Sequence, residues 1–454
     1  MLKKLFKRLR GSSSKHSSLT ARLIPEAEHG INPRDISSAS VRVIEQLQKT
    51  GYQAFLVGGG VRDLMLGMHP KDFDVATNAT PEQVKQVIRS ARIIGRRFRL
   101  VHVQFGRETV EVATFRAHHN SDDDRDQHAA QTDASGMITR DNLWGSIEQD
   151  AERRDFSVNA LYYDPTTRVV HDFCGGAEDL SAHRLRLIGI PEHRYREDPV
   201  RILRAIRFSA KLGFTMDAAT AAPIRSLAPM LAQISPHRLS DEVHKLLGCG
   251  HARNVLQLLQ EYHLLELLFP HVHFTDSAWS LVMATAQNTD QRIAEGKSIN
   301  PAFFLASLLW RSVVDRQHQL QDHGVALIPS WQQAGQLVLQ QQMHRTALTK
   351  YVVQTIREIW DLQPRLQRPD ARQVNTLMVH PRFRAGFDFL VLREACHENT
   401  GGMGVWWDRY QAADAGLQAE MLREVAAPKT TGKARRRPRK RKPSPHNKPT
   451  IAHD

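Results

Sequence analysis

Leu56-Val57-Gly58-Gly59-Gly60-Val61-Arg62-Asp63, followed at once in the reading by Asp72-Phe73-Asp74-Val75, is the stretch on which the fold turns. Ala54 to Val57 is an apolar run of strand length, the three glycines are a turn, and a short helix through Leu66 follows. Asp72 to Val75 reads as a second strand. Side chains alternate along a strand, so Asp72 and Asp74 point to one face. Two neighbouring carboxylates repel unless cations lie between them, which makes the pair a natural Mg²⁺ site. Metals held there would activate a hydroxyl and bind the oxygens of a transferring phosphoryl group. A glycine turn before a helix lets backbone N–H groups approach phosphate oxygens, and Arg62 adds a charged donor one turn later. An Asp-X-Asp strand end on its own is more often a solvated turn. The glycines, the arginine and the two acids in this order point to catalysis.

Working outward, apolar residues at helical spacing from Ala39 to Ile44 predict a helix ahead of the glycine strand. Thr80-Pro81 is an N-cap with proline at the first helical position. Leu100 to Phe105 and Thr109 to Phe115 predict two further strands of the same sheet, and residues 118–140, with Asp122-Asp123-Asp124, a mobile polar loop. Glu111, an acid within an apolar β-branched strand, either sits at a solvated edge or supplies a third metal carboxylate beside Asp72 and Asp74.

Two more elements carry candidate chemistry. In Asp150-Ala151-Glu152-Arg153-Arg154-Asp155-Phe156-Ser157-Val158-Asn159-Ala160, acids and arginines at helical spacing are either a salt-bridged surface helix or a functional cluster. In the functional reading Arg154 contacts a triphosphate, Asp155 holds that arginine or shapes the metal site, and Asn159 orients sugar or backbone. In Glu197-Asp198-Pro199-Val200-Arg201-Ile202-Leu203-Arg204-Ala205-Ile206-Arg207-Phe208, Asp198 caps a helix with Pro199 at its first position. Arg201, Arg204 and Arg207 or Lys211 then share a face, an ordinary solvated stripe unless a triphosphate lies near it. An Asp198/Arg201 pair offers an acceptor and donors to a base. From about residue 180 to 425 the pattern is helical, at Val200–Leu212, Leu239–Leu247, Val255–Leu268, Phe303–Val314 and Tyr351–Leu362. Trp406-Trp407 reads as core more readily than as a base-stacking surface.

Composition narrows the function classes. Residues 1–22 carry seven Lys/Arg and no acid, and residues 429–454 carry ten against one acid, so the net charge of +14 resides in the two ends and the middle is slightly acidic. Basic tails of this kind bind polyanions through phosphate contacts and counterion release. No apolar run approaches 18 residues, and the N-terminus lacks the apolar core of a secretory signal. Three scattered cysteines, Cys174, Cys249 and Cys396, form neither a disulfide framework nor a zinc motif and suit a reducing cytoplasm. Met1 to Arg10 is basic and amphipathic, which allows peripheral membrane contact.

Taken together, the three elements resemble the class II nucleotidyltransferases, the family of the bacterial poly(A) polymerases and the CCA-adding enzymes. Leu56 to Thr77 resembles the family's metal-binding motif, Arg153 to Ala160 its Arg-Arg-Asp-Phe motif, and Glu197 to Phe208 its nucleotide-contacting helix. The resemblance covers roughly residues 40 to 250. It implies that Asp72 and Asp74 bind catalytic Mg²⁺ and that Asp155 belongs to the active site. Gly58, Gly59, Arg62 and Arg154 would contact phosphates or sugar, with Asp198, Arg201, Arg204 and Arg207 near base and phosphates. The triple glycine, Gly95 to Leu100 and Asp141 to Ile147 are similar to the poly(A) branch.

The expected fold is α+β: a small mixed-sheet head at 23–180, a helical neck at 181–250 and a helical body at 251–428, between a basic flexible arm at 1–22 and a disordered Arg/Lys-rich tail at 429–454. The expected activity is template-independent addition of AMP from ATP to RNA 3′ ends with release of pyrophosphate, serving RNA processing or decay. The expected protein is a cytoplasmic monomer that meets RNA, ATP and RNA-decay proteins. A CCA-adding enzyme of tRNA and a non-catalytic RNA-binding protein are the alternatives.

Overall fold

The computed structural model describes residues 20–95, 99–117, 130–132, 138–141 and 143–426. Most of residues 1–22, the Asp122–Asp124 run and the basic tail therefore lie outside the described residues. Eight strands form one mixed sheet: β1 (Arg22–Ile24), β2 (Ala54–Val57), β3 (Asp74–Thr77), β4 (Ala91–Ile94), β5 (Leu100–Phe105), β6 (Glu108–Thr114), β9 (Leu161–Asp164) and β10 (Val169–Asp172). Two more, β7 (Ala130–Thr132) and β8 (Ile138–Asp141), pair as a separate antiparallel ribbon within the segment expected to be a loop. The order across the large sheet is β1-β10-β9-β2-β3-β6-β5-β4. Every neighbouring pair is antiparallel except β3 and β6.

The sheet is covered unequally, and that positions the site. One face, with Leu56, Val75, Val101, Val110, Val112 and Tyr163, joins the main core with Val43, Ile44 and Leu47 of helix α1 (Ser38–Lys49). The alternate residues Phe55, Val57, Ala76 and Tyr162 form a smaller cluster with Phe115, Ile147 and Ala151. Asp74 and Glu111 belong to this second face by strand alternation. Helix α2 (Gly59–Met65) follows β2 directly, and helix α3 (Pro81–Val87) starts with a capping box in which Thr80 and Gln83 satisfy each other's backbone amides.

Several expectations shift in detail. The second strand begins at Asp74, not Asp72, because the backbone before it is packed against the glycine turn: a Cβ on Gly60 would lie 3.3 Å from the Asp72 carbonyl oxygen. The helix expected over 255–268 breaks into Ala252–Glu261 and Leu265–Leu268, with His263 at φ 56° between them. Trp407 is fully buried and donates to the Leu366 carbonyl at 2.9 Å, as a core residue does. From Pro191 onward the described elements are helices apart from Thr215–Met216. The helices that frame the site are α4 (Ile147–Arg153) in the head and, after it, α5 (Pro191–Glu197), α6 (Val200–Leu212) and α7 (Pro236–Leu247). No helix among the described residues is long and apolar enough to cross a membrane.

Candidate active site

Gly58 ends β2 at φ 79°, a backbone conformation that side chains rarely adopt. A Cβ there would sit 3.6 Å from Nη1 of Arg154, so the turn and that arginine lie against each other. Arg154 is held in place by its other nitrogens. Its Nε donates to the Tyr162 hydroxyl at 2.9 Å and to Asp150 at 3.2 Å, and its Nη2 donates to Asp150 at 3.0 Å. The Tyr162 hydroxyl completes the triangle by donating to the same Asp150 oxygen at 2.7 Å. Burial alone would push the Asp150 carboxyl up; Arg154 and Tyr162 outweigh it and hold the acid below its usual range. The result is a fixed guanidinium with Nη1 turned to the glycine turn.

Asp74 lies opposite Val57 on one side and beside Glu111 on the other. Desolvation first, then the charges of Glu111 and Asp72, raise its carboxyl to about 6 against the pull of Arg154. Glu111 also lies 3.6 Å from Nε2 of His102 on the adjacent strand. Among the described residues no three His, Cys, Asp or Glu side chains are gathered into a ready ligand set. The donor chemistry nevertheless fits a hard divalent cation: an all-carboxylate group whose members repel one another without one.

Asp155 holds a different arginine from Arg154. It accepts from Arg204 through Nε at 2.7 Å and through Nη2, from the Phe156 amide at 2.8 Å, and from the Asn159 side chain at 3.2 Å. Burial raises the carboxyl but these donors prevail and bring it to about 2. Asp155 therefore braces Arg204, and the acid that holds Arg154 is Asp150, one helical turn before it. Asn159 in turn accepts from Arg62 at 2.6 Å, and Arg62 also grips Asp63 at 2.6 Å and 2.7 Å. Arg62 is only 2% exposed, and its guanidinium lies against the glycine turn: a Cβ on Gly59 would meet its Nη2 at 3.4 Å. The guanidiniums of Arg62, Arg204 and Arg207 surround the Phe208 ring at 5.3, 5.4 and 4.8 Å from its centroid.

The neck helix contributes differently from expectation as well. α6 begins at Val200, with the Asp198 side chain accepting from the Val200 amide at 3.2 Å. Asp198 does not pair with the Arg201 side chain. Arg201 donates to Glu197 at 2.8 Å and to the Arg194 carbonyl at 2.7 Å, while Asp198 accepts from Arg238 of α7 at 2.5 Å. Arg207 lies 3.7 Å from the buried Glu242, also of α7. Arg194 reaches across to the end of α4, where it donates to the carbonyls of Arg153 and, at 2.8 Å, Arg154. The structure thus brings Gly58, Gly59, Asp74, Glu111 and Arg154 to one place and links Arg62, Asp155, Arg204 and Arg207 in an adjoining brace. Asp150, Tyr162, Arg194 and Arg238 were not singled out from sequence. Only Asp150, at helical spacing from Arg154, left a local signal there.

Three family models match the chain: "Poly A polymerase head domain" over residues 54–186, "Probable RNA and SrmB- binding site of polymerase A" over 213–275, and "Polymerase A arginine-rich C-terminus" over 323–442. Poly(A) polymerase I of Salmonella typhimurium is 45% identical over 430 residues, covering 93% of this chain and 92% of the relative. That of Haemophilus influenzae is 43% identical, covering 88% and 90%. The CCA-adding enzyme of Geobacillus stearothermophilus is 37% identical, but over 48% of this chain and 51% of its own length. Among solved structures, the Bacillus stearothermophilus CCA-adding enzyme in complex with CTP aligns with a TM-score of 0.50 at 26% identity, covering 85% of this chain and 80% of that one. The poly(A) polymerase I relatives align in sequence over about nine-tenths of this chain and of their own length, and the chain belongs to the poly(A) polymerase family of nucleotidyltransferases.

Proposed function

We propose that this chain is a polynucleotide adenylyltransferase that transfers AMP from ATP to RNA 3′ ends without a template and releases pyrophosphate. The observation that carries the reading is the convergence of the Asp74 and Glu111 carboxylates with Arg154, clamped by Asp150 and Tyr162 beside the Gly58 turn. In this reading the amides at Gly58 and Gly59 and Nη1 of Arg154 hold the triphosphate. Arg204 and Arg207, with Asp198 and Arg201, form the wall toward base and sugar. Arg62 and Asp155 act from inside, keeping α2 and α6 at a fixed separation. Asp72, Asp74 and Glu111 would hold Mg²⁺, which when bound supplies positive charge for the attacking 3′-oxygen and the transferring phosphoryl group. The divisions at 23–180, 181–250 and 251–428 are proposed as catalytic head, nucleotide-facing neck and RNA-binding body. Action in the cytoplasm as a monomer, peripheral membrane contact through residues 1–22 and cooperation with RNA-decay proteins belong to the same proposal.

The test is extension of an unstructured RNA oligonucleotide with Mg²⁺ and each nucleoside triphosphate separately, beside a tRNA lacking its CCA end. A long ladder with ATP alone on the oligonucleotide is the expected result. Addition of two C and one A to the tRNA, with nothing on the oligonucleotide, would make the CCA-adding reading the correct one. No incorporation on either RNA would leave RNA binding as the activity.

A further inference from the structure

One row of residues crosses the large sheet from the glycine turn to its far edge. Val57 of β2 lies opposite Asp74 of β3, and Asp74 lies beside Glu111 of β6. Glu111 lies opposite His102 of β5, and His102 opposite Arg92 of the edge strand β4. Neighbouring strands are about 4.8 Å apart, so His102 stands one strand and Arg92 two strands beyond the last acid. Nε2 of His102 is 3.6 Å from Glu111, and the imidazole side chain is 39% exposed. The sheet face around this row is covered on one half only. Phe55, Val57, Ile147 and Tyr162 close it over β2 and β9, whereas Arg92, Gln104 and Thr109 on β4, β5 and β6 are exposed.

In-line transfer sets what the open half receives. The attacking oxygen and the leaving pyrophosphate lie on opposite sides of the α-phosphorus. The Gly58 turn and Arg154, the proposed holders of the triphosphate, are on the β2 side of Asp74. The 3′-oxygen therefore comes from the β6 side, and the RNA behind it passes over β5 and β4. We propose that His102 and Arg92 form the acceptor subsite. His102 hydrogen-bonds the 2′-hydroxyl of the 3′-terminal ribose, and Arg92 takes the phosphate on that nucleotide's 5′ side. This assignment rests on the reading of Asp74 and Glu111 as the acids beside the transferring phosphoryl group. The 2′-hydroxyl is the immediate neighbour of the attacking oxygen, so it meets the first polar side chain past Glu111. Hydroxyl and imidazole can each donate and accept, and this hydroxyl is what separates RNA from DNA. Arg92, exposed at the sheet edge, offers the phosphate a planar fork. The rival is an ordinary cross-strand His–Glu pair on a solvated face, which would show in stability alone.

The test gives the full chain Mg²⁺, ATP and two acceptors: an RNA oligonucleotide, and the same oligonucleotide with a 2′-deoxy 3′-terminal nucleotide. Wild type is compared with H102A, H102Q and R92A. One hydrogen bond corresponds to up to about tenfold in an equilibrium. H102A is expected to lower kcat/KM on the ribose-ended acceptor by about that factor, with little change on the deoxy-ended one or in KM for ATP. H102Q, which keeps a donor and an acceptor, is expected to recover part of the ribose preference. R92A is expected to weaken both acceptors alike in filter binding and to lower the salt slope by about one. If H102A keeps the wild-type preference, whatever its melting temperature, His102 only pairs with Glu111 and the inference is overturned. Equal losses on both acceptors, or a wild type that uses both equally, also overturn it. Unchanged binding and salt slope in R92A would show that the RNA does not pass over β4. Extension of neither acceptor by the wild type would instead refute the adenylyltransferase reading itself.

Discussion

Asp74 titrates in the folded head near pH 6, above its ordinary 3.8, because desolvation and two neighbouring acids oppose its charge. The folded state therefore binds this proton more tightly than the unfolded chain does. The contribution to stability is full below the unfolded value of 3.8 and is lost as pH rises through about 6. Above that range the ionised carboxylate opposes folding unless a cation accompanies it. The variant D74N, uncharged at every pH, is expected to melt at or above the wild type at pH 7 in EDTA, with the gap closing as pH falls from 6 to 4. Added Mg²⁺ should raise the wild-type melting temperature and leave that of D74N in place, while RNA extension by D74N is lost. A D74N protein that is less stable than the wild type in EDTA at neutral pH would show that Asp74 is a structural acid and not a metal-facing one.

Between elements, the contact that decides the geometry is Asp155 with Arg204, joining the segment after α4 to the middle of α6. The Asp155 carboxyl lies at about 2, so its stabilisation is present above 3.8 and disappears as pH falls toward 2. That depression corresponds to about 2 kcal/mol, and removing one partner of a largely buried pair also leaves the other unmatched. D155N is thus expected to lose about 2–3 kcal/mol in urea denaturation at pH 7, with the loss shrinking at pH 3. A cost independent of pH would mean that packing of Asn159 and Phe156, and not the charge pair, holds the junction. This scale is also where the sequence was hardest to read. The glycine turn, the capping of α3 and the length of α6 are local and were legible. β9, four buried residues with no polar alternation, left no period to recognise, and the partners of Asp155 and Asp198 lie 49 and 40 residues away. Acid and arginine types at the neck were visible, but which acid meets which arginine is a property of helix packing.

Over the whole chain, the middle is slightly acidic and the two ends are strongly basic. A site that grips one nucleotide needs a few oriented arginines, whereas a polymer substrate of variable sequence is gathered by charge alone. Deleting residues 429–454 is expected to weaken RNA affinity and flatten its dependence on salt, because up to ten cationic side chains leave, while KM for ATP changes little. Filter binding of an RNA oligonucleotide across a salt series gives the slope directly. An unchanged slope would place RNA capture on the helical body and not on the tail.

The Asp155–Arg204 contact has a consequence for how the enzyme matures. On the ribosome, the whole large sheet and Arg154 with both of its partners have been made before the arginine that completes the Asp155 socket is added. A nascent or trimmed head that ends before α6 would carry the glycine turn and the Asp74 and Glu111 carboxylates but leave Asp155 without its arginine.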